Sequence, residues 1–308
     1  MRRRRDTLVA AAIVLPALLL GPPPASAEEP CPQQPTVTAL VGGGPVYESI
    51  AFDRSGRLFF SGGGQVLMIP RLGADPKLIA DGIDGTGGIV ARRDGKLLVG
   101  FGNTIDGAGD GSAQPDAGML RIDPARGGST ASKVWVEGLS MANGVVRGPG
   151  KTLYASNDIA GGIDKVTRRR TVELGWSSLA SPNGLEIDPS NRRFLYAAQT
   201  FQPAAIEKIE LADPTNSTAW YTAPPADSGA GFDGTWMGRS GSLYVAANGA
   251  GQVWRVDGPG AACVLASRDP FPSGPSDLAF GRGRHGFARS SLFVTTFGGE
   301  LLELRGAR

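Results

Sequence analysis

Histidine occurs once in the 308 residues, at His285, and cysteine twice, at Cys31 and Cys263. A catalytic histidine pair is therefore excluded. Long apolar runs are missing too: the stretch from Leu8 to Leu20 is 13 residues, too short to cross a bilayer as a helix. Charge of one sign is scarce, with 31 basic residues against 29 acidic ones. Four of those bases, Arg2 to Arg5, stand at the extreme N-terminus, and without residues 1–27 the net charge is −1. No basic surplus remains for nucleic acid, and Arg168-Arg169-Arg170 reads as a solvated hairpin tip.

Glycine and proline are plentiful, 46 and 23 residues, about 22% together against roughly 12% in average usage. Both are poor helix-interior residues, so a helical bundle is excluded. Apolar residues still make up 41% of the chain, too many for a disordered one. A turn-rich, mostly β protein is the expectation.

Residues 1–27 read as an export signal, with a basic start, an apolar stretch and the small-residue site Ala25-Ser26-Ala27. The adjacent arginines allow either general or twin-arginine export. The expected product is a secreted domain, 28–308, without stable membrane association. In an oxidising compartment its two cysteines are expected to pair.

One pattern recurs six times: a short apolar strand, a polar turn, and a second strand opening with leucine and, in most copies, an aromatic residue. Its second strands open at Leu58, Leu97, Leu153, Leu195, Leu243 and Leu292, spaced 39, 56, 42, 48 and 49 residues apart. That is the spacing of four-stranded propeller blades. An all-β, six-bladed propeller follows, forming one domain. The long interval accommodates an insertion at 104–118. The last repeat leaves room for three strands, so a strand near Thr36–Leu40 is expected to close the ring. A Cys31–Cys263 bond would pin that seam.

The heads of the innermost strands are Glu48, Gly87, Asn143, Asn183, Asp233 and Ser276. If they face the axis, two carboxylates and two amides converge there. Such an oxygen set, with two charges that repel, suits a hard divalent ion, Ca²⁺ first, with Mg²⁺, Mn²⁺ or Zn²⁺ as alternatives. The competing reading is that Asn-Gly and Asp-Gly are ordinary turn pairs.

Blades reading Pro182-Asn183-Gly184-Leu185 with Leu195-Tyr196-Ala197, and Asp233-Gly234 with Leu243-Tyr244-Val245, resemble the regucalcin/gluconolactonase (SMP-30-like) family, relatives of the paraoxonases and diisopropyl fluorophosphatase. The resemblance implies metal ligation by Glu48, Asn143, Asn183 and Asp233, with Asp233 as the base that takes a proton from water. A metal-bound carboxylate is a weak base, so activation of water by the metal itself is an equal alternative. The implied reaction is hydrolysis of a lactone, a small-molecule substrate, by a monomer. A non-catalytic propeller with a structural ion and an organophosphate hydrolase are the alternatives. Asn103, Asp106 and Asp110 could stand above the channel, Trp236 and Phe232 could wall a pocket or belong to the core, and His285 is expected in an exposed loop.

Overall fold

The computed structural model describes residues 28–308 apart from 106–108, 110, 115, 127–131, 202, 239 and 268–273. The proposed leader therefore lies outside the described residues. Alternating apolar positions in short strands need a second layer on each face. Here every four-stranded sheet packs against its two neighbours in a ring. The blades run β2–β5 (Ser49–Phe52, Leu58–Gly62, Gln65–Ile69, Lys77–Ala80), β6–β9 (Ile89–Ala91, Leu97–Phe101, Gly118–Ile122, Ser132–Glu137) and β10–β13 (Val145–Arg147, Leu153–Ser156, Ile163–Val166, Val172–Ser177). They continue with β14–β17 (Pro182–Ile187, Phe194–Gln199, Ala205–Glu210, Asp213–Thr222), β18–β21 (Phe232–Met237, Leu243–Ala247, Gln252–Gly258, Ala261–Ser267) and β22–β24 (Pro275–Phe280, Leu292–Thr296, Leu301–Arg305). All pairing within the sheets is antiparallel. Two single 3₁₀ turns, Pro149–Lys151 and Pro225–Asp227, are the helical elements among the described residues.

The last blade takes its outer strand from β1 (Thr36–Val41), which pairs with β24 from Thr36 opposite Arg305 to Val41 opposite Leu301. The closing strand thus runs one residue beyond the expected Leu40. Cys31 and Cys263 form a disulfide with a Cα–Cα distance of 4.9 Å. Beside it the Cys31 N–H donates to the Val264 carbonyl at 2.8 Å, and the Val264 N–H to the Glu29 carbonyl at 2.9 Å. The disulfide closes a loop spanning 232 positions, which the chain-entropy account values at about 5 kcal/mol. A disulfide suggests an oxidising, extracytoplasmic setting. No helix among the described residues is long and apolar enough to cross a membrane.

Apolar contacts between blades form the core. Phe59 and Val66 of the first blade meet Ile89 and Leu97 of the second, and Phe232 and Trp254 of the fifth meet Tyr221 of the fourth. The leucines at the start of the second strands, first in five blades and second after Phe194 in the fourth, are buried to within 2% in all six. The repeat recognised in the sequence is thus a repeat of core positions.

Candidate functional site

Glu48 immediately precedes β2, Asn143 stands two residues before β10, and Asn183 and Asp233 are the second residues of β14 and β18. The N–H groups of Glu48, Gly87 and Asn143 donate to Ser61, Gly100 and Ser156 at the ends of the adjacent strands, at 2.7, 3.0 and 3.2 Å. In the other three blades the register slips at this level, between Pro182 and Leu185, Phe232 and Thr235, and Pro275 and Asp277. Such bulges re-aim a side chain where strand pairing ends.

The glycines that follow these heads are not turn residues. Gly184 and Gly234 lie within β14 and β18, and neither they nor Gly144 has a positive φ. Their role is close approach. A Cβ on Gly144 would collide with the Asn183 carbonyl oxygen, one on Gly184 with that of Asp233, and one on Gly234 would lie 2.6 Å from that of Ser276. In these three blades the glycine is therefore pressed against the next head, which draws those heads together around the axis.

Side chains tie the same ring. Ser61 Oγ donates to the Gly87 carbonyl at 3.0 Å, Ser156 Oγ to that of Asn183 at 2.6 Å, Thr200 Oγ1 to that of Phe232 at 3.0 Å and Asn248 Nδ2 to that of Pro275 at 3.1 Å. Ser276 Oγ closes the circle on the Tyr47 carbonyl at 2.7 Å. The Ser276 hydroxyl is thereby committed to the seam between the last blade and the first.

Glu48, Asn143, Asn183 and Asp233 all line one cavity of about 380 Å³, together with Asp158, Thr200, Phe201 and Phe297. The same four also line a channel of about 280 Å³ that continues past Glu186 and Asp277 to Arg282. They form the partition between the two spaces. Asn143 Nδ2 donates to Asp158 Oδ1 at 2.9 Å and Asn183 Nδ2 to Thr200 Oγ1 at 3.0 Å. Each amide thus spends its nitrogen on a neighbouring side chain. Asn103 Nδ2 donates to Glu48 Oε1 at 3.0 Å, while the buried Asn103 Oδ1 has no partner.

Burial pushes the Glu48 carboxyl up to about 7, with Asp158 and Asp277 adding to the rise and the Asn103 bond opposing it. Asp233 is raised well above its ordinary value, first by burial and then by the charges of Glu48, Asp158 and Asp277. Asp158 is raised by burial. Two carboxylates whose ionisation is disfavoured, Glu48 and Asp233, beside two amides, are a donor set of the kind that suits a hard divalent cation, while Asp158 adds negative charge beside them. No cluster of three or more His, Cys, Asp and Glu side chains with metal-holding geometry exists among the described residues. The candidate set is mixed, two carboxylates with two amides.

Asp158, Thr200 and Phe201 were not read from the sequence. They follow the second strands β11 and β15, whose tails form a tier outside the heads. The available signal was repeat phase, since Asn248 and Phe297 stand just beyond β19 and β23 and line the same cavity. Asp106 and Asp110 lie outside the described residues. Phe232 is fully buried against Trp254 and lines neither of these two spaces. Trp236 packs on Phe280 at 4.6 Å between ring centres and borders the lower channel. His285 is exposed, with φ at 54°.

Residues 150–298 match the model of the SMP-30/Gluconolactonase/LRE-like region family, in keeping with the resemblance carried by the blades. Among solved structures, a luciferin-regenerating enzyme is 15% identical, covering 88% of this chain and 95% of its own at a TM-score of 0.68. A gluconolactonase from Xanthomonas campestris is 17% identical, covering 88% and 89% at 0.67. A calcium-binding regucalcin from Agrobacterium tumefaciens is 18% identical, covering 88% and 94% at 0.66. At these identities the likeness is one of fold. No curated protein sequence matches the chain.

Proposed function

We propose that this propeller, similar to the SMP-30/gluconolactonase-like family over residues 150–298, is a divalent-metal-dependent lactonase that acts outside the cytoplasm. The observation that carries the reading is the convergence of Glu48, Asn143, Asn183 and Asp233 on one cavity. These four residues would hold the ion, Ca²⁺ by donor chemistry. When bound, such an ion supplies Lewis-acid polarisation of the lactone carbonyl.

The chain's own residues do the rest. Asn103 orients Glu48, Asp158 orients the Asn143 amide, and Thr200 orients the Asn183 amide. Phe201 and Phe297 line the cavity and offer apolar surface to the ring carbons of a cyclic ester. Asp233 is assigned the role of taking a proton from the attacking water, with activation of that water by the ion itself as the alternative. Acyl–oxygen cleavage then breaks the ring bond, the proton taken by Asp233 passes to the leaving ring oxygen, and the hydroxy acid departs through the open side of the cavity.

The test is elemental analysis of purified protein followed by a lactone panel with and without chelator. Stoichiometric divalent metal and a chelator-sensitive, metal-restored hydrolysis are expected. Full turnover after the metal has been stripped would sink the reading. A metal that raises thermal stability while no lactone is opened would favour a non-catalytic binding propeller.

A further inference from the structure

The opposite end of the central channel carries a feature of opposite charge to the acidic cavity. Its opening is a funnel of about 1240 Å³ lined by ten arginines and Lys151, with Asp94 as the lone carboxylate of its lining. Eleven of the chain's 31 basic residues thus surround one concavity. The positions are systematic. Arg54, Arg92, Arg147 and Arg282 each fall within two residues of the end of an inner strand, in the first, second, third and sixth blades, and Arg192 lies in the corresponding turn of the fourth.

Several of these guanidinium groups have a neighbour that directs them without neutralising their charge. Among the described residues Arg92 alone of the lining arginines has an ion pair, with Asp94 at 3.1 Å. Arg192 Nη2 donates to the Arg147 carbonyl and Arg284 Nη1 to the Arg54 carbonyl, both at 3.3 Å. Arg170 lies 5.4 Å from the centre of the Trp135 ring. Burial and the nearby charges of Arg92, Arg93 and Arg192 lower the Arg147 pKa. A backbone carbonyl fixes direction, but it leaves the positive charge uncompensated.

We propose that this arginine funnel binds a compact, soluble molecule carrying several phosphate groups, at a site separate from the acidic cavity. Guanidinium forks match tetrahedral oxyanions with paired hydrogen bonds, so several phosphates on a small frame would engage the rim from different blades at once. The volume is slightly above that of ordinary ligand sites, roughly 300–1,000 Å³. Concavity argues against a flat membrane surface. So does the lining, which includes none of the exposed large hydrophobic residues among the described residues.

The test is calorimetric titration of the whole protein with inositol hexakisphosphate across about 0.05 to 0.2 M salt, the range over which phosphate contacts weaken steeply. Saturable one-to-one binding that weakens with salt is expected. Arg147→Ala/Arg192→Ala should weaken it about a hundredfold, the effect of losing two charge-assisted contacts. Arg255→Ala, on β20 and paired with Asp257, should leave it unchanged. If the double variant does not fold, Arg93→Ala/Arg289→Ala serves in its place with the same expectation. Equal loss in Arg255→Ala, no loss in the funnel variants, or no binding by the wild type would overturn the proposal. So would binding only to phosphatidylglycerol vesicles or to a short DNA duplex.

Discussion

The two ends of the central channel are made by the same six strands and carry opposite charge. At the heads stand Glu48 and Asp233, with Asp158 beside them, and at the tails stand Arg54, Arg92, Arg147 and Arg282. From Glu48 to Arg54 is six residues, about 20 Å of extended chain at roughly 3.3 Å each. The Debye length in physiological salt is about 8 Å. The two charge sets are therefore electrostatically separate in solvent, and one inner strand can serve both. Construction differs as well. The heads are locked by glycine packing and hydrogen bonds between blades, whereas the tails are hairpin turns whose side chains lean on neighbouring carbonyls.

The largest expected effect breaks the acidic end alone. Asp233→Asn should lower kcat/KM for a lactone about a thousandfold, the size typical for loss of one preorganised charge at the reacting centre, with the circular-dichroism spectrum unchanged. Retained turnover would remove Asp233 from the mechanism. Next is Gly144→Ala, whose methyl group would collide with the Asn183 carbonyl oxygen. It should cost about 3 kcal/mol in denaturant unfolding, as overpacking does. Gly258→Ala has nothing within 4 Å and should stay within about 0.5 kcal/mol of wild type.

A smaller effect concerns the ion. Calcium at about a hundred times its Kd should add about 2.7 kcal/mol, seen as a higher Tm in wild type and no rise in Glu48→Gln. The smallest lies midway along the channel. Burial, then Asp277, pushes the Glu186 carboxyl up to about 8 from an ordinary 4.5, opposed by Arg282. The folded state therefore holds this proton more tightly than the unfolded chain. Its contribution is fully present below pH 4.5 and is lost as pH rises to about 8. Glu186→Gln should leave Tm unchanged below pH 4.5 and raise it by a few degrees above pH 8. A uniform shift at every pH would assign the effect to packing.

The ring was legible in the sequence because each blade repeats one core position. The leucines from Leu58 to Leu292 are all buried, and burial selects residue type strongly enough to leave a period. The heads were legible by the same phase, though the glycines beside them were open to misreading. The pairs Asn143-Gly144 and Asp233-Gly234 look like turns, but they are places where neighbouring backbones meet. Asp158, Thr200 and Phe297 occupy related tails of second strands with unrelated side chains, so no residue type marked them.

The seam shows both kinds of information. Two cysteines far apart in sequence and a final repeat with three strands were enough to expect closure by the N-terminal strand. The arginine funnel illustrates the other kind. Arg54, Arg147 and Arg282 stand far apart in a chain whose net charge is near zero without residues 1–27, and Arg168 and Arg170, exposed in a hairpin turn as expected, also line the funnel.

By itself the sequence determined the number of blades, the closing strand and the four heads of the acidic set, because each depends on a local pattern or on spacing along the chain. Tertiary structure alone decided which glycines bring the heads together, which second-strand tails support them, and that dispersed arginines share one opening. Those outcomes depend on contacts between blades, and an interaction between segments many residues apart leaves no period in a single sequence.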